Sequence, residues 1–524
     1  MRRKLSYLIL LIFLVTILSS SGCSSSSGTL VVLSGSENEA LEPIIQKFEK
    51  QSGIKVEMKY KGSVDIMLEL ENSTTDFDAV WPANSLWVSI GDKKRVVKHL
   101  KSIMTSPVVF GIRKSLAGEL GFIGTDVSVK DILNAITAKK LSFMMTSATQ
   151  SNSGASAYIG FLYALLDNTE NITKEDLRKP ELKLQLQKLF SGINRSSASS
   201  GWLKDLFLQG SYDAMVNYES IIIETNKELI KKGKEPLYVV YPHDGLVLSD
   251  SPLGYVNRGD AKKQEMFKRL QEYLLSEKVQ EEISALGRRT GLGGIISKTD
   301  PNVFNPDWGI DSKKLLSPIK LPSPDVIEEA LNLYQTAFKK PSYAIYCLDF
   351  SGSMSGEGEK KLKEAMTMIL NQDIAKKYLL HSSAEDVVAV IPFSDKIFDI
   401  WEVRGNDPQQ FKELLERINS LSPQGATDIY SPVIEALSKL DAQNLDNYIP
   451  SIVLMTDGKS NTGKSFYNLK ASWSGINKDI PVFSIMFGSA DAKQLEEIAS
   501  LTRARVFDGK HNLVDAFKKA RGYN

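Results

Sequence analysis

Two stretches of alternating strand-like and helix-like patterns, with a proline-rich segment between them, constrain the fold of this chain most strongly. Short apolar runs alternate with apolar residues at helical spacing from Thr29 to about Ser297, and again from Ser342 onwards. Such alternation predicts an α/β fold with mostly parallel sheets and helices on both faces. Residues 300–324 contain five prolines and little periodicity, which is typical of a linker. A chain of 524 residues is also too long for one compact core, so we expect separate domains.

The periodicities assign strands and helices to each stretch. In the first stretch we expect the strands 29–33, 54–58, 77–80 and 107–112 and the helices 37–51, 155–166, 180–190, 220–231 and 262–275. In the second stretch we expect the strands 343–348, 387–392, 452–455 and 482–487 and the helices 360–370, 409–419, 428–440 and 493–501. A further helix at 324–338 closes the linker, with Ser323 as a good N-cap.

The composition excludes several classes of protein. Hydrophobic residues make up 42% and charged residues 24% of the chain, and the net charge is +1, which argues against disorder and against nucleic acid as a partner. The two cysteines, Cys23 and Cys347, are too few for a disulfide framework. The four histidines are scattered and lack zinc-type spacing. Cys347 lies in an apolar run, so we expect a buried small residue there rather than a reactive thiol.

The N-terminus carries the pattern of an export signal. Three basic residues, an apolar run over residues 5–18 and a stretch of small residues predict a signal peptide at 1–22. The apolar run is shorter than the ~20 residues that span a bilayer, although an uncleaved anchor is the alternative. The glycine and Cys23 after this run resemble the lipobox of bacterial lipoproteins, although Ser20 stands where that family prefers leucine. The resemblance implies a lipid on Cys23, a serine-rich tether at 23–28, and attachment to the outer face of the cell membrane, facing the periplasm in a Gram-negative cell.

Oxygen-bearing side chains follow strand ends or open helices in three segments of the second stretch. These segments are 349–353 (Asp-Phe-Ser-Gly-Ser), 425–428 (Gly-Ala-Thr-Asp) and 455–458 (Met-Thr-Asp-Gly). Ligands of open parallel sheets bind at the carboxyl ends of the strands, so we expect these segments to converge. Two carboxylates and three hydroxyls form an all-oxygen site that suits magnesium, calcium or manganese rather than zinc or copper.

This combination resembles the metal-ion-dependent adhesion site of the von Willebrand factor type A domain, over about residues 342–524. That site reads Asp-x-Ser-x-Ser, then a threonine, then an aspartate after the fourth strand. The resemblance assigns the metal ligands as Asp349, Ser351, Ser353, Thr427 and Asp457. It also implies Mg²⁺, or Mn²⁺ or Ca²⁺ in its place, and a protein partner whose carboxylate fills the open coordination position. Hydroxyl ligands leave the cation electron-poor, which favours binding of such a carboxylate. The residues beside the motif include no candidate general base, so the pattern favours binding over catalysis.

A competing motif overlaps the last of these segments. Residues 458–465 match the phosphate-binding loop GxxxxGK[ST], follow a predicted strand and precede a potential helix at 466–472. Taken alone, this motif would indicate a nucleotide-hydrolysing enzyme, with Lys464 on the nucleotide. We favour the metal site because it accounts for five residues in three segments, whereas the loop accounts for one segment. Exported proteins also rarely meet ATP.

Serine-rich turns join strands of the first stretch to helices. Residues 33–37 (LSGSE) lead into a helix with Ser36 as a good N-cap, and residues 149–154 (TQSNSG) do the same ahead of another helix. Helix N-termini and adjacent hydroxyls bind anions or polar groups. These turns, together with segments at 78–84, 210–219 and 252–255, resemble in order and spacing the two-lobed extracellular solute-binding proteins of bacterial transporters. The resemblance covers about residues 29–297.

This second resemblance implies a solute cleft between two lobes. The cleft residues that we favour are Ser34, Ser36, Ser153 and Tyr218. Each serine alone has a helix cap as its alternative role. Trp81 and Asn84 are candidate walls of the cleft, with a core position as the alternative for Trp81. The serine turns suit a small polar or anionic solute, whereas Glu37 at the mouth argues against a bare, highly charged anion. A cleft that has lost its ligand is the remaining alternative.

The sequence as a whole predicts a non-enzymatic, exported lipoprotein with two α/β modules. The expected order is a signal peptide (1–22), a lipidated cysteine with a tether (23–28), a two-lobed periplasmic-binding-protein-like domain (29–299), a linker with a helix (300–341) and a doubly wound, Rossmann-like von Willebrand A domain (342–524). We expect the protein to bind a protein partner through the metal site and a small solute in the cleft. The alternatives are a solute receptor of an ABC-type transporter and a nucleotide-binding enzyme that uses residues 458–465.

Overall fold

The computed structural model describes residues 28–72, 76–166, 171–291, 300–312, 316–488, 490–510, 516–518 and 520. The predicted signal peptide and the predicted lipidation site at Cys23 lie outside these residues. No helix in the described part of the chain is long and apolar enough to cross a membrane. We divide the described chain into an N-terminal unit, residues 28–291, and a C-terminal unit, which starts at residue 342.

The described strands of the N-terminal unit form two sheets. In chain order they are β1 (Thr29–Gly35), β2 (Lys55–Lys61), β3 (Ala79–Trp81), β4 (Val97–Ser102), β5 (Ser106–Arg113), β6 (Phe143–Thr146), β7 (Ile193–Ser197), β8 (Ala214–Tyr218), β9 (Leu237–Val240), β10 (Leu248–Ser249) and β11 (Pro252–Val256). One sheet has the order β2-β1-β3-β11-β4, and the other has the order β10-β5-β8-β6-β7 with β9 paired to β5. We call the halves built on these sheets lobe 1 and lobe 2.

Both sheets are mixed, whereas the sequence predicted mostly parallel ones. In lobe 1, β1 is parallel to β2 and β3, but β11 is antiparallel to β3 and β4. In lobe 2, β6 is parallel to β7 and β8, but β5 is antiparallel to β8, β9 and β10. Strand β11 enters the lobe 1 sheet after the whole of lobe 2 has been traversed. Local periodicity carries no information about such a distant pairing, so this part of the prediction was wrong.

Helices cover the faces of both sheets in the N-terminal unit. In chain order they are α1 (Glu42–Ser52), α2 (Ser63–Glu71), α3 (Ser85–Gly91), α4 (Lys114–Glu119), α5 (Val129–Thr137), α6 (Asn152–Leu165), a 3-10 turn (Asp176–Arg178), α7 (Pro180–Ser191), α8 (Ser200–Gln209), α9 (Glu219–Lys231), α10 (Ala261–Leu274) and α11 (Glu277–Ala285). Every residue of α6 is buried. A helix that is buried on all sides lies inside a core, and the apolar residues of α6 accordingly lie in the apolar cluster at the centre of lobe 2.

The helix predicted at 37–51 is divided in two. Residues Ser36–Leu41 form a 3-10 helix, and α1 begins at Glu42. Pro43 has no amide to donate, so a continuous α-helix would lose a hydrogen bond here, whereas proline is tolerated in the first turn of a new helix. Ser36 is therefore not an N-cap: Gly35 occupies the capping position, and no side chain caps the turn.

The proline-rich segment packs onto lobe 2 instead of bridging the units freely. Phe304, Trp308 and Ile310 are buried in one apolar cluster with lobe 2 side chains, and the 3-10 turn Pro306–Trp308 lies within this stretch. Pocket-filling aromatic residues explain why a segment without periodicity is nevertheless ordered against a core. The segment thus has the composition of a linker, but its apolar side chains are part of the lobe 2 core.

The linker helix also belongs to lobe 2. Helix α12 (Pro324–Leu333) continues into a π-helical turn (Tyr334–Phe338), and the two together cover the predicted helix. The Tyr158 hydroxyl of α6 donates to the Ala330 carbonyl at 2.9 Å. Ser323 stands at the N-cap position, but its hydroxyl bonds the Asp325 carboxylate and not a helix amide.

The C-terminal unit is built on one sheet with helices on both faces. Its strands are β12 (Ser342–Asp349), β13 (Val387–Phe393), β14 (Trp401–Arg404), β15 (Ile449–Thr456), β16 (Val482–Met486) and β17 (Val506–Asp508), in the order β14-β13-β12-β15-β16-β17. Its helices are α13 (Glu357–Leu370), α14 (Gln372–Lys377), α15 (Pro408–Ser420), α16 (Tyr430–Asp441), α17 (Phe466–Ser474) and α18 (Ala492–Leu501), with a 3-10 turn at Gly352–Met354. Residues 516–518 and 520 are also helical.

The pairing of this sheet confirms the predicted fold class. All of its pairings are parallel except that of the edge strand β14 with β13. Separate apolar clusters lie on its two faces, and β12 at its centre is buried along its whole length. The strands of a parallel sheet that is covered on both faces appear in the sequence as continuous apolar runs. The strands of this sheet could therefore be predicted.

Candidate functional site

The predicted metal ligands meet at the carboxyl edge of the C-terminal sheet. Strand β12 ends at Asp349, and its parallel neighbour β15 ends one residue before Asp457. Ser351 and Ser353 lie in the turn that follows β12, and Thr427 lies in the loop that leads to α16. The Ser353 hydroxyl donates to Asp457 Oδ1 at 2.9 Å and lies 3.2 Å from the Ser351 hydroxyl. The structure thus brings the three segments together as the parallel topology predicts.

The Asp349 carboxylate is oriented from two sides. Its Oδ1 accepts a hydrogen bond from the Ser351 amide at 2.7 Å, and its Oδ2 accepts one from the Thr456 hydroxyl at 2.6 Å. Thr456 is a positioning residue that the sequence analysis did not single out. Its place in the Met-Thr-Asp-Gly segment, next to a predicted ligand at a strand end, is the signal that could have found it.

Thr427 is braced by the loop that follows Asp457. The Thr427 amide donates to Asn461 Oδ1 at 3.0 Å, and its carbonyl accepts from the Asn461 amide at 3.0 Å. A Cβ on Gly458 would stand 3.2 Å from the Ser353 hydroxyl and 3.4 Å from the Thr427 hydroxyl. Glycine at this position therefore leaves open the space between the oxygens. The donor set and this space fit a small, hard divalent cation.

Burial sets the electrostatics of the two carboxylates. Burial raises the pKa of Asp349. Hydrogen bonds from Thr456 and Ser351 lower this pKa in part, and the charge of the neighbouring Asp457 raises it further. Burial also raises the pKa of Asp457, against the hydrogen bond from Ser353. Two buried carboxylates at one sheet edge are costly to ionise, and a bound cation would offset that cost.

The site differs from a metal centre made of imidazole, thiolate or carboxylate groups. The described residues contain no group of three or more His, Cys, Asp or Glu side chains arranged to hold a metal ion. Three of the five predicted ligands are hydroxyls, so the adhesion-site interpretation does not require such a group.

The backbone amides of the phosphate-loop motif are engaged by acceptors of the protein. The amides of Asn461 and Thr462 donate to the Thr427 carbonyl, and the Lys464 amide donates to Asp428 Oδ2 at 3.2 Å. A Cβ on Gly463 would stand 1.8 Å from the same Asp428 oxygen. The Thr427 carbonyl and the Asp428 carboxylate therefore occupy the positions on these amides that a phosphate would need. This arrangement favours the metal-site interpretation over the nucleotide alternative.

Cys347 lies inside the sheet, as the apolar run predicts. Its side chain is fully buried, and its Sγ donates to the Pro432 carbonyl at 3.6 Å. Burial raises the pKa of the thiol, which opposes formation of a reactive thiolate.

The lobe 2 side of the predicted cleft is a network of hydroxyl and amide groups. The Ser153 hydroxyl lies 2.8 Å from the hydroxyls of both Thr146 and Ser200. The Asn152 side-chain amide donates to the Tyr218 hydroxyl at 3.0 Å. Burial, followed by the nearby Glu37 carboxylate, raises the pKa of Tyr218 well above its usual value. In this closed arrangement Ser153 and Tyr218 bond neighbouring side chains of lobe 2.

The lobe 1 side contributes the turn after β1. Ser34 is buried, and its hydroxyl accepts from the Asn38 side-chain amide at 3.1 Å. Ser36 is half-buried, and its carbonyl lies 3.6 Å from the position of a Cβ on Gly201 in α8. The backbone of Ser36 therefore lies next to the helix start where Ser200 bonds the lobe 2 network.

The two candidate walls are structural. Trp81 is fully buried, and its indole nitrogen donates to the Ser251 carbonyl at 3.2 Å. Asn84 caps α3 through a hydrogen bond from the Leu86 amide at 2.9 Å. Trp81 thus takes the core role that was its alternative.

Sequence reasoning missed three members of the cleft network, Thr146, Asn152 and Ser200. Ser200 is the first residue of α8, and residues 199–201 (Ser-Ser-Gly) repeat, at a helix start, the serine-rich turn of residues 151–154. A search for a second turn of the same kind would have found it.

The two units match separate protein families. Residues 29–289 match the family described as bacterial extracellular solute-binding protein, and residues 345–515 match the von Willebrand factor type A domain. This chain joins a solute-binding domain to a von Willebrand A domain. The resemblances to these two families that were inferred from the sequence are thereby confirmed. The solute-binding domain comprises the two lobes, and the von Willebrand domain contains the oxygen-lined sheet edge.

Curated relatives cover a small part of the chain. Human inter-alpha-trypsin inhibitor heavy chain H3 is 26% identical over 161 residues, which are 28% of this chain and 17% of that protein. Human heavy chain H6 is 25% identical over 156 residues, which are 28% of this chain and 11% of that protein. The chain thus spans less than a fifth of the length of these relatives.

Similar solved structures include two periplasmic proteins. The periplasmic binding protein AfuA from Actinobacillus pleuropneumoniae, solved with fructose-6-phosphate, is 14% identical, covers 60% of this chain and 99% of its own, and has a TM-score of 0.44. A periplasmic thiamin binding protein is 13% identical, covers 59% of this chain and 96% of its own, and has a TM-score of 0.43.

Glu37 is a buried carboxylate in the 3-10 helix that follows β1 of the solute-binding domain. Burial raises its pKa to about 7, although its own backbone amide and Arg288 lower it in part. Its Oε1 has no hydrogen-bond partner in the described part of the chain. Arg288 instead donates to the Glu37 carbonyl at 2.9 Å and pairs with Glu224 at 2.6 Å.

We expect Glu37→Gln to stabilise the solute-binding domain at pH 8. A carboxyl whose pKa is higher in the folded than in the unfolded state destabilises the fold once it is ionised, by up to about 3 kcal/mol here. The gain should therefore be full above pH 7 and vanish below the unfolded pKa of 4.5. Thermal melts of the full chain from pH 4 to 8 measure it, with the exposed Glu272→Gln as control. A gain that persists at pH 4 would contradict the assignment.

Proposed function

We propose that the von Willebrand domain binds a protein partner through a divalent cation, Mg²⁺ or in its place Mn²⁺ or Ca²⁺. Asp349, Ser351, Ser353, Thr427 and Asp457 would hold the cation. The cation would supply a Lewis-acidic site for a carboxylate of the partner, because hydroxyl ligands neutralise little of its charge. The chain then acts as a binding protein and not as an enzyme.

The single observation that carries this proposal is the convergence of hydroxyl and carboxylate oxygens around an open space at one sheet edge. Ser353 links Ser351 and Asp457 by contacts of 3.2 and 2.9 Å, and Gly458 adds no side chain between Ser353 and Thr427. Oxygen donors of this kind suit magnesium, calcium and manganese. The match of residues 345–515 to the von Willebrand family supports the same conclusion.

We further propose that the solute-binding domain takes a small polar or anionic solute between its lobes. Ser34, Ser36, Ser153 and Tyr218 would line that site. In the closed state Ser34, Ser153 and Tyr218 bond neighbouring side chains, so a solute must replace contacts such as Ser153–Ser200 at 2.8 Å. We also propose export through the signal at 1–22, a lipid on Cys23, and a division of the mature chain at 29–299, 300–341 and 342–524.

A solute receptor for an ABC-type transporter is the second candidate function. The match of residues 29–289 to an extracellular solute-binding family favours it. Under this alternative the von Willebrand domain would serve only for docking. Genes for a permease and an ATPase beside this gene would support transport, and their absence would favour adhesion or assembly.

A pair of variants tests the metal site against the phosphate loop. Ser353→Ala removes one proposed ligand and the hydrogen bond to Asp457, so we expect Mg²⁺ affinity to fall at least about tenfold. Lys464→Ala changes only an exposed side chain and should leave Mg²⁺ affinity unchanged. Calorimetric titration of the full chain with Mg²⁺, and separately with ATP, measures both. Loss of ATP binding in Lys464→Ala, with normal Mg²⁺ affinity in Ser353→Ala, would overturn the proposal.

A further inference from the structure

The two lobes of the solute-binding domain meet along a closed seam. The Val64 amide at the start of α2 in lobe 1 donates to the Gln150 carbonyl of lobe 2 at 3.2 Å. The Trp87 indole nitrogen of lobe 1 donates to Asn152 Oδ1 of lobe 2 at 2.6 Å. Opening the cleft must break these contacts across the seam.

The von Willebrand domain is attached to lobe 2. Arg195 of β7, which is almost fully buried, pairs with Asp479 at 2.8 Å and donates to the Arg503 carbonyl at 2.9 Å. The Tyr212 hydroxyl donates to the other Asp479 oxygen at 2.9 Å. The guanidinium of Arg505 stacks 4.4 Å above the Trp202 ring. Lobe 2 and the von Willebrand domain are therefore expected to move together.

The helical turn at 516–518 reaches from the von Willebrand domain across the seam between the lobes. The Lys518 carbonyl accepts a hydrogen bond from the Gln150 side chain of lobe 2 at 2.8 Å. The Lys518 ammonium pairs with Asp65 of lobe 1 at 3.0 Å, and both side chains are only 11% exposed. One residue of the von Willebrand domain thus contacts both lobes.

The turn is also anchored to its own domain. Phe517 stacks on Tyr346 of the central strand with ring centroids 5.5 Å apart, and the Lys518 ammonium lies 5.0 Å from the centroid of the Tyr378 ring. Phe517 belongs to an apolar cluster that also includes Ala198 and Trp202 of lobe 2. The turn therefore has a fixed position from which Lys518 can hold Asp65.

We propose that the 516–518 turn is a strap that holds the two lobes closed, so that opening of the cleft and release of the turn are one coupled event. Moving lobe 1 away from lobe 2 separates Asp65 from Lys518 and leaves two largely buried charges without each other, which is costly. Coupling of this kind is reciprocal: a state of the cleft that separates the lobes loosens the turn, and a pull on the turn loosens the seam. The proposal needs neither a bound metal nor a bound solute.

Amide hydrogen exchange of the full chain in EDTA tests the strap from both ends. Lys518→Met should raise exchange in the peptide that contains Val64 by at least about tenfold, because seam opening becomes easier. Asp65→Asn, which lies in the other domain, should raise exchange in the peptide that contains Phe517 and Lys518. The exposed Lys510→Met is the matched control and should change neither peptide.

Either single variant can decide the matter if the other fails to fold. Faster exchange in the opposite domain supports the strap. Unchanged exchange at Val64 in Lys518→Met, or unchanged exchange at Phe517 in Asp65→Asn, overturns it. Because EDTA removes any cation and no solute is added, this result is independent of whether the proposed metal or solute site exists.

Discussion

Arg289→Met should destabilise the solute-binding domain by about 3–5 kcal/mol, since it removes one partner of a fully buried ion pair. Arg289 and Glu219 are both completely buried and form a two-pronged contact, Nε to Oε1 at 2.8 Å and Nη2 to Oε2 at 2.7 Å. The Tyr241 hydroxyl donates to the same carboxylate. Without the guanidinium, Glu219 retains a charge in the core that this hydroxyl alone cannot satisfy.

The position of this pair explains why its loss should affect the whole domain. The Thr105 amide donates to the Arg289 carbonyl at 2.7 Å, and the Arg289 amide donates to the Thr105 carbonyl at 3.0 Å. Thr105 lies in the connection between β4 and β5, where the chain crosses from lobe 1 to lobe 2. Glu219 directly follows β8 of lobe 2. The ion pair therefore fastens the chain after α11 to lobe 2 next to the crossing point.

Urea unfolding of the full chain, followed by tryptophan fluorescence, measures the effect. The matched control is Arg178→Met, because Arg178 pairs with Glu329 at 2.8 Å on the surface and exposed pairs contribute little. We expect no resolvable change in the control. An Arg289→Met protein with the wild-type midpoint would show that the buried pair does not stabilise this domain.

Asp349→Ala should abolish Mg²⁺ binding by the von Willebrand domain. Outer-sphere partners of metal ligands typically contribute 10–100-fold in affinity, so loss of a proposed direct ligand should cost at least about 100-fold. In the wild-type chain, a cation at 100 times its Kd stabilises the domain by about 2.7 kcal/mol and raises the melting temperature. We expect that rise to disappear in the variant.

The design separates binding from folding. Asp446→Ala is the matched control, because Asp446 is an exposed aspartate at the opposite end of β15. Melts in EDTA should show the solute-binding domain unchanged in all three proteins. Partner binding should require Mg²⁺ in the wild type and fail in Asp349→Ala. Partner binding that persists in EDTA would exclude a metal-dependent mechanism.

The fold of the C-terminal unit could be predicted because its strands and helices leave local patterns in the sequence. Fully buried parallel strands read as apolar runs, and parallel topology brings their carboxyl ends to one edge. The segments carrying Asp349, Thr427 and Asp457 could therefore be predicted to converge. The hydrogen bond from Thr456 to Asp349 could not be predicted, because the sequence does not show in which direction the hydroxyl of a threonine at a strand end points.

The fold of the N-terminal unit could be predicted only in part, because some of its strand pairings join residues that are far apart in the sequence. Strand β11 joins lobe 1 after the chain has passed through lobe 2, and β10 is too short to leave a periodic signal. The pairing of Asp65 with Lys518 joins residues 453 positions apart. No local pattern indicates such a contact. The break at Pro43 was readable, since proline removes a donor, but the amphipathic pattern continues across it.

Crystals of the full chain grown with Mn²⁺ would test the central claim most directly, through the anomalous signal of the metal. The account predicts one strong peak at the carboxyl edge of the sheet, within bonding distance of side chains among Asp349, Ser351, Ser353, Thr427 and Asp457. The peak should be absent from Asp349→Ala crystals grown in the same way. A wild-type map with no peak there at millimolar Mn²⁺, or with its peak at another place in the molecule, would contradict the account.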